Sequence, residues 1–268
     1  MANTIGFGQA AVNNTNGFGQ APTNNTIDFG EICADSWSPE TNLTGAGATP
    51  PFSNTKSIEL DGIDDYVDCG NNINFAVTNI SISAWIKTTA DGIFMGADDS
   101  NGARRRWVFR VTASGTLNFL FWNASVALKS ITGTTVVDDG VWHHVMAVNN
   151  GTDLKLYVDG VLDNSSSDGD TMNTNLFTYI HIGNSNYNGG NAYFDGLIDE
   201  VAIWSTDQSS NVATIYNSGV PNDISSLSPL GYWRMGDGST YPTINDLGSG
   251  GNNGTMTNFS TFSTDVPT

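Results

Sequence analysis

Three groups of side chains have the types and spacing that chemistry needs. The first is carboxylate: Asp61, Asp64, Asp65 and Asp68 fall within eight residues, and Asp195, Asp199 and Glu200 within six. Like charges so close repel one another, and a hard cation with oxygen ligands relieves that crowding. The same residue types also serve tight turns and solvated faces. The second group mixes rings and carboxamides. The stretch Asn184–Tyr193 carries Asn186, Tyr187 and Tyr193, and aromatic rings beside amides suit the apolar faces and hydroxyls of a sugar. The third is imidazole. His143 and His144 are adjacent in an alternating run, so they point to opposite faces and cannot hold one ion together. His181 has no Cys or His neighbour in sequence to complete a zinc pattern.

Hydrolytic chemistry finds little support. Cleavage of a glycosidic bond needs two carboxylates about 5–9 Å apart across the scissile bond. Asp195-Gly196-Leu197-Ile198-Asp199-Glu200 lacks the acid, apolar, acid alternation that would aim both into one groove. There is no Gly-x-Ser-x-Gly elbow, phosphate loop or dinucleotide fingerprint. The expectation is a protein that is not an enzyme. Arg104-Arg105-Arg106 is the one basic run; it suits an anionic sugar, a negative patch on a neighbouring subunit, or a solvated hairpin flank.

The elements that position these groups read as strands. Val141, His143, Val145 and Ala147 alternate with Trp142, His144, Met146 and Val148. After the turn cluster Asn149–Asp153, Leu154, Leu156 and Val158 alternate with Lys155 and Tyr157. A period of two is the strand signature, so this is a β-hairpin. Ile80, Ile82, Ala84 and Ile86 form an apolar face opposite Ser81, Ser83, Trp85 and Lys87. Trp107–Thr112 and Leu117–Trp122 repeat the pattern around an Ala113-Ser114-Gly115 turn. Trp85, Trp107, Trp142 and Trp204 lie inside such runs and read as core. Only Ser209–Asn217 has helical spacing, with Val212, Ile215 and Tyr216 on one face. The fold class is therefore all-β: an antiparallel sandwich with one short helix.

Composition narrows the partners. Nine Lys and Arg against 27 Asp and Glu give a net charge of -18, which argues against nucleic acid and anionic membranes, since both need a positive field. No apolar run approaches the ~20 residues that cross a bilayer. Met1-Ala2-Asn3-Thr4 lacks the basic and apolar regions of a signal peptide, so synthesis in a cytoplasm without general export is expected. Cys33 and Cys69 are expected as free thiols, because pairing requires the N-terminal segment to fold back.

Residues 1–45 differ in kind. Gly6-Phe7-Gly8-Gln9-Ala10 recurs as Gly17-Phe18-Gly19-Gln20-Ala21, and again, worn down, as Asp28-Phe29-Gly30-Glu31. One phenylalanine per eleven residues (Phe7, Phe18, Phe29) cannot bury a core. One reading is a low-complexity disordered tail. The other, which the repeated phenylalanines favour, is an extended anchoring arm whose phenylalanines enter pockets on a partner. Residues 46–56 form a linker punctuated by Gly47, Pro50 and Pro51, and 57–268 the sandwich, with 229–268 as C-terminal strands that close it.

The run Gly140–Gly160 resembles the central hairpin of the laminin-G-like, concanavalin A-like jelly rolls. "SIELDGIDDYVDCG" (57–70) with "ISISAWIKT" (80–88) is similar to their opening strands, and "FDGLIDEVAIW" (194–204) to their closing strand. That resemblance implies a structural Ca²⁺ where first and last strands run side by side, with Asp65 and Asp199 as its ligands, and a lectin-like glycan site at Asn186, Tyr187 and Tyr193. The Phe-Gly/Asn repeats followed by "DSWSPETNLTG" (35–45) resemble N-terminal segments of structural proteins of tailed bacteriophages. This implies a virion component (head fibre, decoration protein or tail-associated fibre) assembled in the host cytoplasm. It would attach to other virion proteins through residues 1–45, form a dimer or trimer, and display the sandwich to cell-surface glycans or another protein. The alternative is a secreted bacterial adhesin or carbohydrate-binding accessory domain.

Overall fold

The structure is a computed structural model that describes residues 9–11, 26–28, 52–70, 79–98, 107–173, 179–185 and 192–268. Contacts divide the chain into two units, Met1–Pro51 and Phe52–Thr268. In the first, β1 (Gln9–Ala11) and β2 (Thr26–Asp28) pair antiparallel, with Gln9 opposite Asp28. Phe7, Phe18 and Phe29 lie outside the described residues.

The second unit contains two antiparallel sheets packed face to face. Its strands are β3 (Ile58–Asp61), β4 (Tyr66–Asp68), β5 (Ile80–Lys87), β6 (Gly92–Asp98), β7 (Trp107–Val111), β8 (Thr116–Trp122), β9 (Leu128–Val136), β10 (His143–Asn149), β11 (Leu154–Val158), β12 (Val161–Ser166), β13 (Tyr179–Ile182), β14 (Asp195–Trp204), β15 (Gly231–Trp233), β16 (Thr243–Ile244) and β17 (Gly254–Thr257). One sheet runs β12-β11-β10-β5-β14-β15, with β3 also on β14; the other runs β16-β17-β4-β13-β6-β7-β8-β9. Alternation fills the space between them. Ile80, Ile82, Ala84 and Ile86 meet Val145, Ala147, Leu154, Leu156, Phe109, Phe119 and Phe121, all fully buried. Each such large apolar side chain contributes roughly 2 kcal/mol by leaving water.

The outer face of the first sheet is covered as well. Helix α1 (Val212–Tyr216) sets Val212 and Ile215 against Met146, Val148, Tyr157, Ala202 and Trp204. Its entry is fixed by the Asp207 carboxylate, which accepts the Ser209 N–H at 2.8 Å, and it ends at Asn217 in the left-handed region, φ 48°. Under this cover the polar side of β5 is buried too. Ser81 donates to the Thr206 carbonyl and accepts the Gln208 N–H, while Ser83 pairs with His144. Trp142 departs from its expected place in the core. β10 begins one residue later, Trp142 is half-buried, and its indole N–H donates to Asp265 at 2.8 Å.

β15 joins the first sheet beside β14, and β16 and β17 join the second beside β4. Along one edge of β14, β3 and β15 lie end to end. β3 pairs with Asp195–Ile198 and β15 with Val201–Ile203, which leaves Asp199 and Glu200 between them. On its other edge β14 shifts register against β5 between Asp199 and Ala202, and Glu200 sits at φ 45°. The far side of the sandwich is closed by side chains. Asp163 on β12 accepts the N–H groups of Thr134 and Thr135 on β9, and Asn164 donates to the Thr132 carbonyl. That blunts an edge which would otherwise offer free backbone groups.

Candidate functional site

The outer face of the second sheet carries a stack of rings. β13 and β4 pair with His181 opposite Asp68, so Tyr179 and His181 stand beside Tyr66 and Asp68, while Ile180, Ile182, Val67 and Cys69 point into the core. Tyr179 stacks on His181 at 3.9 Å and 13°; Tyr66 lies 4.5 Å from His181, and Tyr193 6.5 Å from Tyr66. The three tyrosines are half-buried and keep an exposed margin. His181 is 9% exposed; burial lowers its pKa to about 4 against the opposing pull of Asp68, so the ring is neutral in ordinary buffers. Its Nε2 is 3.8 Å from the Asp68 carboxylate and its Nδ1 has no hydrogen-bond partner. The Asp68 side chain is 47% exposed. Next along the face, Gly96 permits close approach of the loop base, since a Cβ there would meet the Ser185 Cβ at 2.6 Å. Beyond it Ile93, Val108 and Leu120 are buried as a small apolar cluster packed against Trp122 and Ala192. The half-buried tyrosine rings with their hydroxyls, beside the Asp68 carboxylate, make a surface able to hold a ligand with both apolar and hydroxyl faces.

Of the residues expected to contact a glycan, Tyr193 belongs to this cluster, whereas Asn186 and Tyr187 lie outside the described residues. Tyr66, Asp68, Tyr179 and His181 were not singled out as a group by sequence reasoning. The available signal was the i, i+2 spacing in "YVD" and "YIH". What the sequence withheld is that β4 and β13, more than a hundred residues apart, are neighbours.

The carboxylates separate into two places. Asp61, Asp64 and Asp65 have carboxylate oxygens within 4.8 Å of one another at the turn after β3, a donor set that fits a hard cation. Asp61 also accepts the Ile63 and Asp64 N–H groups, and Asp65 accepts the Asp61 N–H at 3.2 Å. Burial and the neighbouring Asp61 raise the Asp65 pKa. Asp199 is not part of this set. Asp61 faces Asp195 and Ile58 faces Ile198, so Asp199 lies past the opposite end of β3, and the expected pairing of Asp65 with Asp199 on one ion is corrected on that ground.

Asp199 is instead fully buried in the gap between β3 and β15. Its Oδ2 accepts Asn54 Nδ2 at 2.8 Å and its Oδ1 the Glu200 N–H. Burial and the adjacent Glu200 hold its pKa well above the usual carboxylate range. Glu200 is pushed up to about 6 by burial, against the opposing pull of Arg234, which donates to it at 2.9 Å, and of the Tyr232 hydroxyl. The two acidic groups nearest in sequence to a hydrolytic pair are thus engaged in structure, on the sheet opposite the ring stack.

His143 and His144 diverge as expected. His143 bridges Asp159 at 2.8 Å and Asp139 at 3.2 Å. His144 is fully buried, with Nε2 2.8 Å from Ser83 Oγ and its ring edge-on to Trp85. Cys69 is a free, buried thiol, and its pKa is raised by burial; Cys33 lies outside the described residues. Among the described residues no helix is long and apolar enough to cross a membrane.

Comparison with known proteins agrees with this architecture. The laminin-G family model described as the concanavalin A-like lectin/glucanases superfamily matches residues 61–212, more than half of the chain. None of the curated proteins matches. Among solved structures, a candidate carbohydrate-binding protein from Bacteroides ovatus is 19% identical with a TM-score of 0.58, over 82% of this chain. The chain spans 62% of that protein's length. The CBM40 domain of a Ruminococcus gnavus sialidase, bound to α2,3-sialyllactose, is 15% identical over 62% of this chain and 98% of its own, TM-score 0.49. Domains LG4-5 of the mouse laminin α1 chain are 16% identical over 60% and 44%, TM-score 0.47. At these identities the likeness is one of fold.

Proposed function

We propose that this chain, which belongs to the concanavalin A-like lectin/glucanases superfamily, is a non-catalytic binding module that takes a glycan on the ring stack of Tyr66, Tyr179, His181 and Tyr193. The observation that carries this reading is the half-buried stack itself. Tyrosines on an outer sheet face bury apolar area against a pyranose ring, while their hydroxyls and Asp68 engage its hydroxyls. Individually such contacts are weak, and display in several copies raises them by avidity. In the same reading, residues 1–45 attach the module to a larger assembly, a phage particle, as a dimer or trimer. The Phe-Gly repeats support this, because they cannot bury a core of their own. Ca²⁺, where bound, would sit at Asp61, Asp64 and Asp65 and hold their turn; it takes no part in ligand chemistry.

The test is a glycan array with the full chain, followed by calorimetry on the best hit. Tyr66→Ala and Tyr179→Ala should each weaken binding about fivefold with little change in melting temperature, since aromatic stacking supplies about 1 kcal/mol per ring. A blank array at high valency removes the glycan reading. Deleting residues 1–45 should abolish incorporation into particles; a secreted adhesin would be indifferent to that deletion.

A further inference from the structure

The gap in the edge of the first sheet is filled from both ends by polar side chains. From beyond β15 come Arg234 and Asp237; from the segment before β3 come Phe52, Ser53, Asn54, Thr55 and Lys56. Arg234 donates to Glu200 at 2.9 Å and to the Ser53 carbonyl at 2.6 Å, and its guanidinium lies 4.0 Å over the Phe52 ring. Asp237 accepts the Thr55 N–H at 2.8 Å, the Thr55 hydroxyl at 2.6 Å and the Lys56 N–H at 3.3 Å. Asn54 donates to Asp199 at 2.8 Å, and its own Oδ1 is buried without a partner.

We propose that Phe52–Lys56 is a strap clamped over this gap by Arg234, Asp237 and Asp199, and that it opens as a local unit while both sheets stay folded. Three features lead there. The strap's backbone N–H groups at Thr55 and Lys56 are held by a side chain, the Asp237 carboxylate, in place of a neighbouring strand, so their release breaks no ladder. The ladder resumes immediately afterwards, where Ser57 exchanges two hydrogen bonds with Ser263 and β3 pairs with β14, which gives the motion a defined end. The clamp is also poorly balanced: Glu200 and Asp237 share the Arg234 guanidinium, Asp199 sets a further buried carboxyl beside Glu200, and a buried amide oxygen is left unsatisfied, so the closed state holds its strap less firmly than a fully paired network would.

The experiment uses the full chain with Asp237→Asn, Arg234→Met and, on the strap itself, Asn54→Ala with Thr55→Val. Hydrogen exchange of residues 52–57 is read beside that of β3, β5 and β14, together with the rate of proteolytic cleavage between residues 46 and 56. Opening predicts cleavage and strap exchange at least tenfold faster in the Asp237→Asn and strap variants, with the β5 and β14 amides as protected as before. Equal rates in wild type and variants would overturn it. So would strap exchange that accelerates only in step with the core strands, because opening would then require global unfolding. Should Arg234→Met fail to fold, the strap variants decide alone. Neither outcome depends on whether the ring stack binds a glycan.

Discussion

His144 illustrates how a single buried ring shapes the response of the whole fold to acid. It is fully buried against Ser83 and Trp85, and burial lowers its pKa from 6.5 to about 4. The folded state thus refuses a proton that the unfolded chain accepts at pH 6.5. Its contribution is intact above that pH and is lost as pH falls from 6.5 towards 4. At pH 5 the deficit from this one residue is about 2 kcal/mol. Glu200 acts in the opposite sense: raised to about 6, it is protonated more readily in the fold and adds stability as pH falls below 6. The histidine is separated from it by substitution. His144→Asn keeps a polar partner for Ser83, so urea unfolding at pH 7 and pH 5 should show the wild type losing about 2 kcal/mol more than the variant over that interval. Equal losses would place the acid sensitivity elsewhere. His181 shares the depressed pKa and works in the same direction, with its ring on the face proposed for ligand.

At the scale of elements, the turn between β3 and β4 takes the chain from one sheet to the other, and it is there that Asp61, Asp64 and Asp65 converge. A divalent cation at these carboxylates would fasten that crossover and relieve the repulsion that, with burial, raises Asp65. Adding millimolar Ca²⁺ to metal-free protein should raise the melting temperature by about 3 °C and leave an Asp61→Asn, Asp64→Asn variant unmoved; a flat response in the wild type removes the ion. The strands themselves were legible where the pattern is local. Alternation located β5, β7, β8, β10 and β11, and Val212 with Ile215 located α1. The sequence showed the local hairpins β10–β11 and β7–β8 but not which strands distant in the chain sit side by side. Tyr66 and His181 meet only because β4 pairs with β13, and Asp199 leaves Asp65 because β3 and β15 share one edge of β14. Such non-local register is set by the competition of whole faces for the core, which no short window records. Trp142 failed for a smaller reason: the strand starts at His143, so the alternation read from Val141 extended two residues too far. Ser81 and Ser83 are the converse case. They look solvent-facing in sequence and are buried because a helix more than a hundred residues later covers them.

For the molecule as a whole, the span that carries the family match, residues 61–212, is shorter than the span that makes the fold. β15 lines the edge of one sheet and β16 and β17 the edge of the other, and Trp233, Met235, Ile244 and Met256 are buried in the same core as β5 and β10. Trp233 is fully buried, and its indole N–H donates to the Asn252 carbonyl within this last segment. Removing one large buried aromatic typically costs about 3–5 kcal/mol, and a whole domain is stable by only about 5–15 kcal/mol. A fragment of residues 52–228 would lose Trp233 and the three buried aliphatic side chains Met235, Ile244 and Met256 together and uncover β4 and the end of β14. It should therefore lack a cooperative thermal transition and bind apolar dyes, whereas residues 52–268 should unfold in one sharp step near the melting temperature of the full chain. A sharp transition in the shorter fragment would show that the matched span is self-sufficient and that the last forty residues are an accessory. The gap around Arg234 argues otherwise, because Ser53 and Glu200, both retained in the shorter fragment, would lose the guanidinium that holds them.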